Sequence, residues 1–161
     1  MDYFDRLGTI GGIHIYFKSK KDVFYSSLLW GGIALAFFTI VYPSVFNLSI
    51  SNLIGFILGL IIIGWLILIW FGTGYRVENN TLNIQGGPFK QTVDIQKIKK
   101  ITKEKSVVTS AALAIDRLLI HYGNYKYASI SPKDEYEFIK VLLSKNPQIH
   151  IDEALITLYK I

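Results

Sequence analysis

Val23–Tyr42, VFYSSLLWGGIALAFFTIVY, and Leu53–Phe71, LIGFILGLIIIGWLILIWF, are two apolar runs of 20 and 19 residues. Neither contains Asp, Glu, Lys, Arg or His, and the charge-free block as a whole extends over 53 residues, from Val23 to Tyr75. At 1.5 Å per residue each run makes about 30 Å of helix, the thickness of a hydrocarbon core. Between them, residues 43–52 hold a helix-breaking Pro43 and the Ser and Asn residues that compete for backbone hydrogen bonds, so the chain is expected to reverse there. The reading is of two antiparallel transmembrane helices, 23–42 and 53–71, joined by an extracytoplasmic turn.

Working outward, the charges fall on both flanks of this block. Lys18, Lys20 and Lys21 precede the first run, and Arg76 with six lysines follows the second within ~35 residues, whereas the turn carries none. Positive-inside bias therefore predicts both termini in the cytoplasm and a multi-pass protein of the cell membrane. A hairpin buried in a soluble core is excluded by size, since 161 residues cannot cover two helices apolar all round. A cleaved signal peptide would have a shorter apolar region and an Ala-x-Ala-like site, which is absent near residue 42. Trp70, Phe71 and Tyr75 fall where an interfacial aromatic belt belongs; Trp30 does not. Gly55 and Gly59, with Gly31 and Gly32, have the spacing that lets helices approach closely, and mutual packing of the two spans accounts for it. Without ionisable residues the spans offer no conduction path or proton relay.

After the second span the pattern becomes one of short alternating segments separated by turn residues. Segments 75–78 and 81–85 around Asn79-Asn80 read as a hairpin with Leu82 and Ile84 inward. Gly86-Gly87-Pro88 makes a second turn, and 90–95 places Val93 and Ile95 inward. Segments 98–105, 114–122 and 126–130 complete six expected strands. Ser131 as N-cap, Pro132 at the first helical position and Asp134 at the third predict a helix whose apolar stripe includes Tyr136, Phe138, Ile139, Leu142 and Leu143. The fold class is α+β: a transmembrane hairpin, then a pleckstrin-homology-like antiparallel barrel or sheet over residues 75–149 closed by one amphipathic helix. Residues 1–22 are expected as a cytoplasmic N-terminal segment and 150–161 as a C-terminal tail that packs on the barrel or touches the membrane.

The motifs Tyr75-Arg76-Val77, Leu82-x-Ile84, Gly87-Pro88-Phe89, Ser110-Ala111-Ala112-Leu113, Asp116-Arg117-Leu118-x-Ile120-x-Tyr122-Gly123, Ile130-Ser131-Pro132-x-Asp134 and Asn146-Pro147 resemble the YyaB-like bacterial PH domain family. The resemblance covers residues 75–149, and Ser19-Lys20-Lys21-Asp22 before paired spans is similar to the family's N-terminal half. These motifs specify a fold rather than a reaction. Because the family includes a bacteriocin immunity protein, the resemblance implies a binding module at the membrane that protects the producing cell from a bacteriocin-like peptide acting there. Ala114 stands where the family is expected to carry a hydroxyl.

Ser110, Asp116 and His121 are the residues from which an enzyme would have to be built. Alternation puts Asp116 and His121 on opposite faces of their strand, so no catalytic triad, and no catalytic residue, is expected. His14, His121 and His150 lack partners at metal-ligand spacing, so neither a metal nor another cofactor is expected. Zero cysteines exclude disulfides and thiolate sites. Lys97, Lys99, Lys103 and Lys105 fall on one face of a strand by simple alternation, a surface for anionic lipid or for a solvated sheet edge. Asp116 and Arg117, set between apolar residues, read first as a structural brace and second as a partner contact. A nucleic-acid role is disfavoured because no aromatic platform interleaves the lysines. The expected protein is a non-enzymatic module whose partners are the bilayer and a peptide or protein at the inner membrane face, with sensing of anionic lipid as the alternative.

Overall fold

The computed structural model describes residues 14–46, 49–105 and 112–159. A first strand, β1 (His14–Lys18), leads directly into a long helical segment. That segment consists of α1 (Val23–Ala36), a π-helical turn (Phe37–Val41) and α2 (Tyr42–Phe46). The helix thus runs past the expected break at Pro43. The π turn shifts the hydrogen-bond register immediately before it, with Tyr42 N–H donating to the Phe37 carbonyl, so the proline that cannot donate is accommodated. The second helix, α3 (Ile50–Phe71), starts at Ser49, whose hydroxyl accepts from Asn52 N–H at 3.3 Å.

Both helices are long and apolar enough to cross a membrane. Leu28, Leu35, Phe38, Ile61 and Leu68 are each more than half exposed, the opposite of what a core helix of a soluble protein shows. The helices touch around Gly59, where an added Cβ would lie 3.1 Å from side-chain carbons of Ile40 and Val41, whereas one at Gly31 or Gly32 meets nothing.

The rest of the chain forms β2 (Gly74–Glu78), β3 (Thr81–Gly86), β4 (Phe89–Asp94), a 3-10 turn (Ile95–Lys97), β5 (Ile98–Lys105), β6 (Asp116–Tyr122), β7 (Lys126–Ile130), α4 (Glu135–Lys145), β8 (His150–Ile151) and α5 (Glu153–Tyr159). The strands make two four-stranded sheets, β1-β2-β3-β4 and β7-β6-β5-β8, rather than the closed barrel. Period-two alternation makes the inner faces apolar: Tyr75, Val77, Leu82, Ile84, Ile101, Leu118, Ile120 and Ile130 are buried, and Phe138, Ile139 and Leu142 of α4 complete the core. Asn79, at φ 47°, makes the β2–β3 turn as expected of Asn.

The fold exceeds the expected limits of 75 and 149 at both ends. β1 pairs antiparallel with β2, in register from His14 opposite Glu78 to Lys18 opposite Gly74, and Phe17 enters the core. At the other end, β8 pairs parallel with β5, and Leu155 of α5 is fully buried. The tail is thus part of the core. The helical hairpin is accordingly an insertion between two adjacent paired strands, and its two ends return to one side.

Ser131 is not the cap of α4. The helix begins at Glu135 after Asp134, and neither residue 131 nor 132 is helical. Lys133 N–H donates to the Lys18 carbonyl at 2.9 Å and Lys20 N–H to the Ser131 carbonyl at 2.6 Å, so this stretch is held extended against the segment entering α1.

Candidate functional site at the junction of hairpin and domain

Strand direction assigns every element end to one of two poles. The end of β1, the start of β2, the β3–β4 turn, the end of β5, the start of β6, the end of β7 and the start of α4 all lie toward the hairpin. The far pole carries the β2–β3 and β6–β7 turns and the end of α4, where Asn146 Nδ2 donates to the carbonyls of Ile95 and Ile98 at 3.0 and 3.3 Å.

At the near pole the hairpin is fastened by buried polar contacts. Ser19, Tyr75 and Ser131 bring their hydroxyls together, with Ser19 Oγ 3.2 Å from Tyr75 Oη and 3.1 Å from Ser131 Oγ. Ser131 N–H donates to Tyr75 Oη at 2.9 Å, and Leu113 N–H donates to Ser131 Oγ at 3.2 Å. Burial pushes the Tyr75 phenol up from its ordinary pKa, outweighing these hydrogen bonds, which act the other way. Asp22, just before α1, accepts from Ile115 N–H at 2.8 Å, and its own N–H donates to the Leu113 carbonyl at 3.1 Å. Tyr25, Trp70 and Leu113 form a separate small apolar cluster at the base of the helices. The Lys21 ammonium sits 4.4 Å from the centroid of Trp70 and 5.0 Å from that of Phe71. Its pKa is lowered, by burial first and then by Lys18.

The residues singled out in the sequence are dispersed. A bulge puts both Ile98 and Lys100 of β5 against the consecutive β6 residues Tyr122 and His121, so Lys99 is an extra residue and the alternation inverts there. Ile98 and Ile101, three apart, are therefore both buried. The single lysine face does not exist. Lys97 lies in the 3-10 turn, 3.5 Å from Asp94; Lys99 is exposed on the other side of the strand from Lys103. The Lys103 ammonium lies 2.7 Å from the buried carboxylate of Glu135, which also accepts from the Tyr159 hydroxyl at 2.7 Å. Burial, with the Glu135 hydrogen bond and charge, pushes the Tyr159 phenol up. Lys105 ends β5 at the near pole, opposite Asp116. Lys97 precedes β5 and Lys105 ends it, and the eight-residue strand rises about 23 Å, beyond a physiological Debye length.

Asp116 and Arg117 diverge. Asp116 is 3.8 Å from Lys20, while Arg117, 1% exposed, donates through Nε to the Ala114 carbonyl at 2.8 Å and through its guanidinium to Tyr25 Oη. The Ala114 contact is made by backbone and needs no hydroxyl side chain. His121 Nε2 lies 3.4 Å from Thr102 Oγ1, and Ser110 is outside the described residues. Among the described residues no three His, Asp or Glu side chains gather in a way that would hold a metal. Sequence reasoning missed Tyr25, Lys133 and the whole of β1. The alternation Ile15-Tyr16-Phe17 was the available signal for the strand.

Among the described residues the strands thus form two four-stranded sheets, with α4 over their core and a polar clasp to the segment that enters α1. The family model described as Bacterial PH domain matches residues 73–146. The chain is also 29% identical over 139 residues to the uncharacterised protein YyaB of Bacillus subtilis strain 168, an alignment covering 84% of this chain and 95% of that protein. Together the two likenesses support a YyaB-like bacterial PH domain in this chain. No solved structure matches it.

Proposed function

We propose that the protein is a membrane-anchored, non-enzymatic binding module held at the inner face of the cell membrane, with its helical hairpin spanning the bilayer twice and both termini in the cytoplasm. The observation that carries this reading is the pairing of β1 with β2 across the hairpin. Two helices of spanning length leave from and return to adjacent strands of one sheet, so the domain lies wholly on one side. Lysines at that pole favour the cytoplasmic side.

The family's PH-like domain supports a binding role rather than a catalytic one. The sharper form is protection of the cell from a bacteriocin-like peptide acting at its membrane, intercepted by the domain where the peptide meets the inner leaflet. Expression of the full chain in a sensitive strain challenged with a co-encoded membrane-active peptide tests it. Survival supports immunity, and unchanged killing by every such peptide removes it.

Sensing of anionic lipid is the second reading, favoured by the concentration of Lys18, Lys20, Lys21, Lys105 and Lys133 around the base of the hairpin. These are largely different lysines from those the sequence singled out.

A further inference from the structure

The register of the first sheet sorts its outward side chains into rows. Nearest the hairpin lie Lys18, Gly74, Gln85 and Lys90, side by side on β1 to β4. The farthest row is His14, Glu78, Thr81 and Asp94. The row nearest the hairpin thus carries two lysines and no acid, whereas Glu78 and Asp94 of the farthest row are matched by Arg76 and Lys97, so the net positive charge of this face lies toward the hairpin, a polarity that suits an anionic surface there. Across three strand spacings Lys18 and Lys90 are about 14 Å apart, room for separate headgroups.

The β3–β4 turn at the end of this row is seated on α3. Gly87 has φ +60°, and an added Cβ there would lie 2.9 Å from Ile69 Cα, so the turn presses directly on the last turn of the helix beside Trp70. Two residues on, Phe89 is 69% exposed. The far pole also shows exposed rings, Tyr125 and Tyr127, but those carry hydroxyls for water. Phe89 has no polar atom, and its neighbour is a lysine. An apolar ring flanked by a cation at the level of Trp70 and Lys21 has the makeup of an interfacial anchor.

We infer that the β3–β4 turn is a third membrane contact, in which Phe89 enters the headgroup–acyl boundary of the inner leaflet while Lys90 and Lys18 bind its anionic headgroups. This rests on the reading of the hairpin as membrane-spanning, and it adds a fixed orientation. The spans alone set the domain's height, while a contact to one side of them sets its tilt and rotation against the lipid.

The absence of cysteine makes a clean test available in the full chain. Single-cysteine variants Leu58→Cys in α3, Phe89→Cys and Tyr125→Cys are labelled with an environment-sensitive fluorophore. They are reconstituted into vesicles of phosphatidylcholine with phosphatidylglycerol, containing lipid-borne spin-label quenchers. The expected result is a blue shift and loss of emission at positions 58 and 89, with position 125 unaffected. Quenching at 58 without quenching at 89 overturns the inference and leaves the hairpin reading standing; no quenching at 58 overturns both. In vesicles of phosphatidylcholine alone, quenching at 89 is expected to fall, and Lys18→Gln with Lys90→Gln is expected to reproduce that fall in the anionic vesicles. Equal quenching in both lipids, or in both proteins, overturns the role of the two lysines.

Discussion

Arg117, buried in β6, donates its guanidinium to the phenolic oxygen of Tyr25 in the first turn of α1, joining the domain's second sheet to the hairpin through side chains 92 positions apart. A charged donor taken out of water is stabilised only by partners in good geometry, so loss of one is costly. Tyr25→Phe keeps the ring against Arg117 and removes the oxygen. It is expected to lower stability by about 1–3 kcal/mol. Thermal unfolding of the full chain in detergent, with hydrogen exchange to localise the effect to residues 112–118, checks this. Unchanged protection there would mean that the contact contributes nothing.

Ser131 is expected to matter through its hydroxyl, not through helix capping. Its Oγ accepts from Leu113 N–H, so Ser131→Ala leaves a buried donor unsatisfied at about 1–3 kcal/mol, while Asp134→Ala, at the true start of α4 and without a side-chain cap bond, is near neutral. Comparing the two unfolding midpoints separates the two roles, since a capping role for Ser131 would make the pair behave alike.

How much of this was legible follows from the range of each signal. Strands β2 to β7 were readable because alternation is local: Leu82 with Ile84 and Leu118 with Ile120 announce their faces within three residues. β1 carried the same local signal, with Ile15 and Phe17 on one face, but its partner lies beyond the hairpin, so no neighbouring strand in sequence marked His14–Lys18 as part of the sheet. The two-residue β8 is too short to carry a period. The lysine face failed for a different reason. The bulge at Lys99 adds one residue without altering composition, yet it turns Lys103 from the solvent side toward Glu135. Ser131 followed the capping pattern locally and lost to a tertiary demand, the hydroxyls of Ser19 and Tyr75.

Lys103 and Lys99 should therefore part company on substitution. Lys103→Met removes the cation from a Glu135 carboxylate whose side chain is only 6% exposed; with Lys103 itself 23% exposed, the expected cost is about 1–3 kcal/mol after allowance for solvent screening. Lys99→Gln, on the exposed side of the bulge, should change stability by no more than about 0.5 kcal/mol. Denaturant titration in micelles reads both. Equal effects would contradict the inverted register.

Alkaline pH should weaken the fold through Tyr75 and Tyr159. Burial raises both phenols above the ordinary value of about 10. Below that value both are neutral folded or unfolded and their hydrogen bonds contribute fully. Above it the unfolded chain releases its protons first, so it binds fewer than the native state and stability falls as pH rises toward the folded values. Lys21, lowered, acts in the opposite sense, so the informative comparison is between proteins. Tyr159→Phe should flatten the decline of the unfolding midpoint above about pH 10, and an unchanged slope would remove Tyr159 from the account.

Within the hairpin, Gly59 and Gly31 make the sharpest contrast. The π turn carries Ile40 and Val41 against α3 where Gly59 offers no side chain, and a Cβ there would sit 3.1 Å from each, so those side chains must give way. On the proposed reading of the hairpin as membrane-spanning, its helices gain little from apolar contact as such and depend on close fit, which makes a small residue at this point decisive. Gly59→Leu is expected to separate the spans, whereas Gly31→Leu, with open space around it, leaves them in place. Spin labels at Tyr42 and Leu60 in an otherwise unlabelled chain report the helix separation directly. A distance distribution in Gly59→Leu that broadens and lengthens, with Gly31→Leu matching the parent, is the expected outcome. If both variants match the parent, the hairpin is held by its outer turn and by the clasp at Tyr25 and Asp22 rather than by contact between the spans.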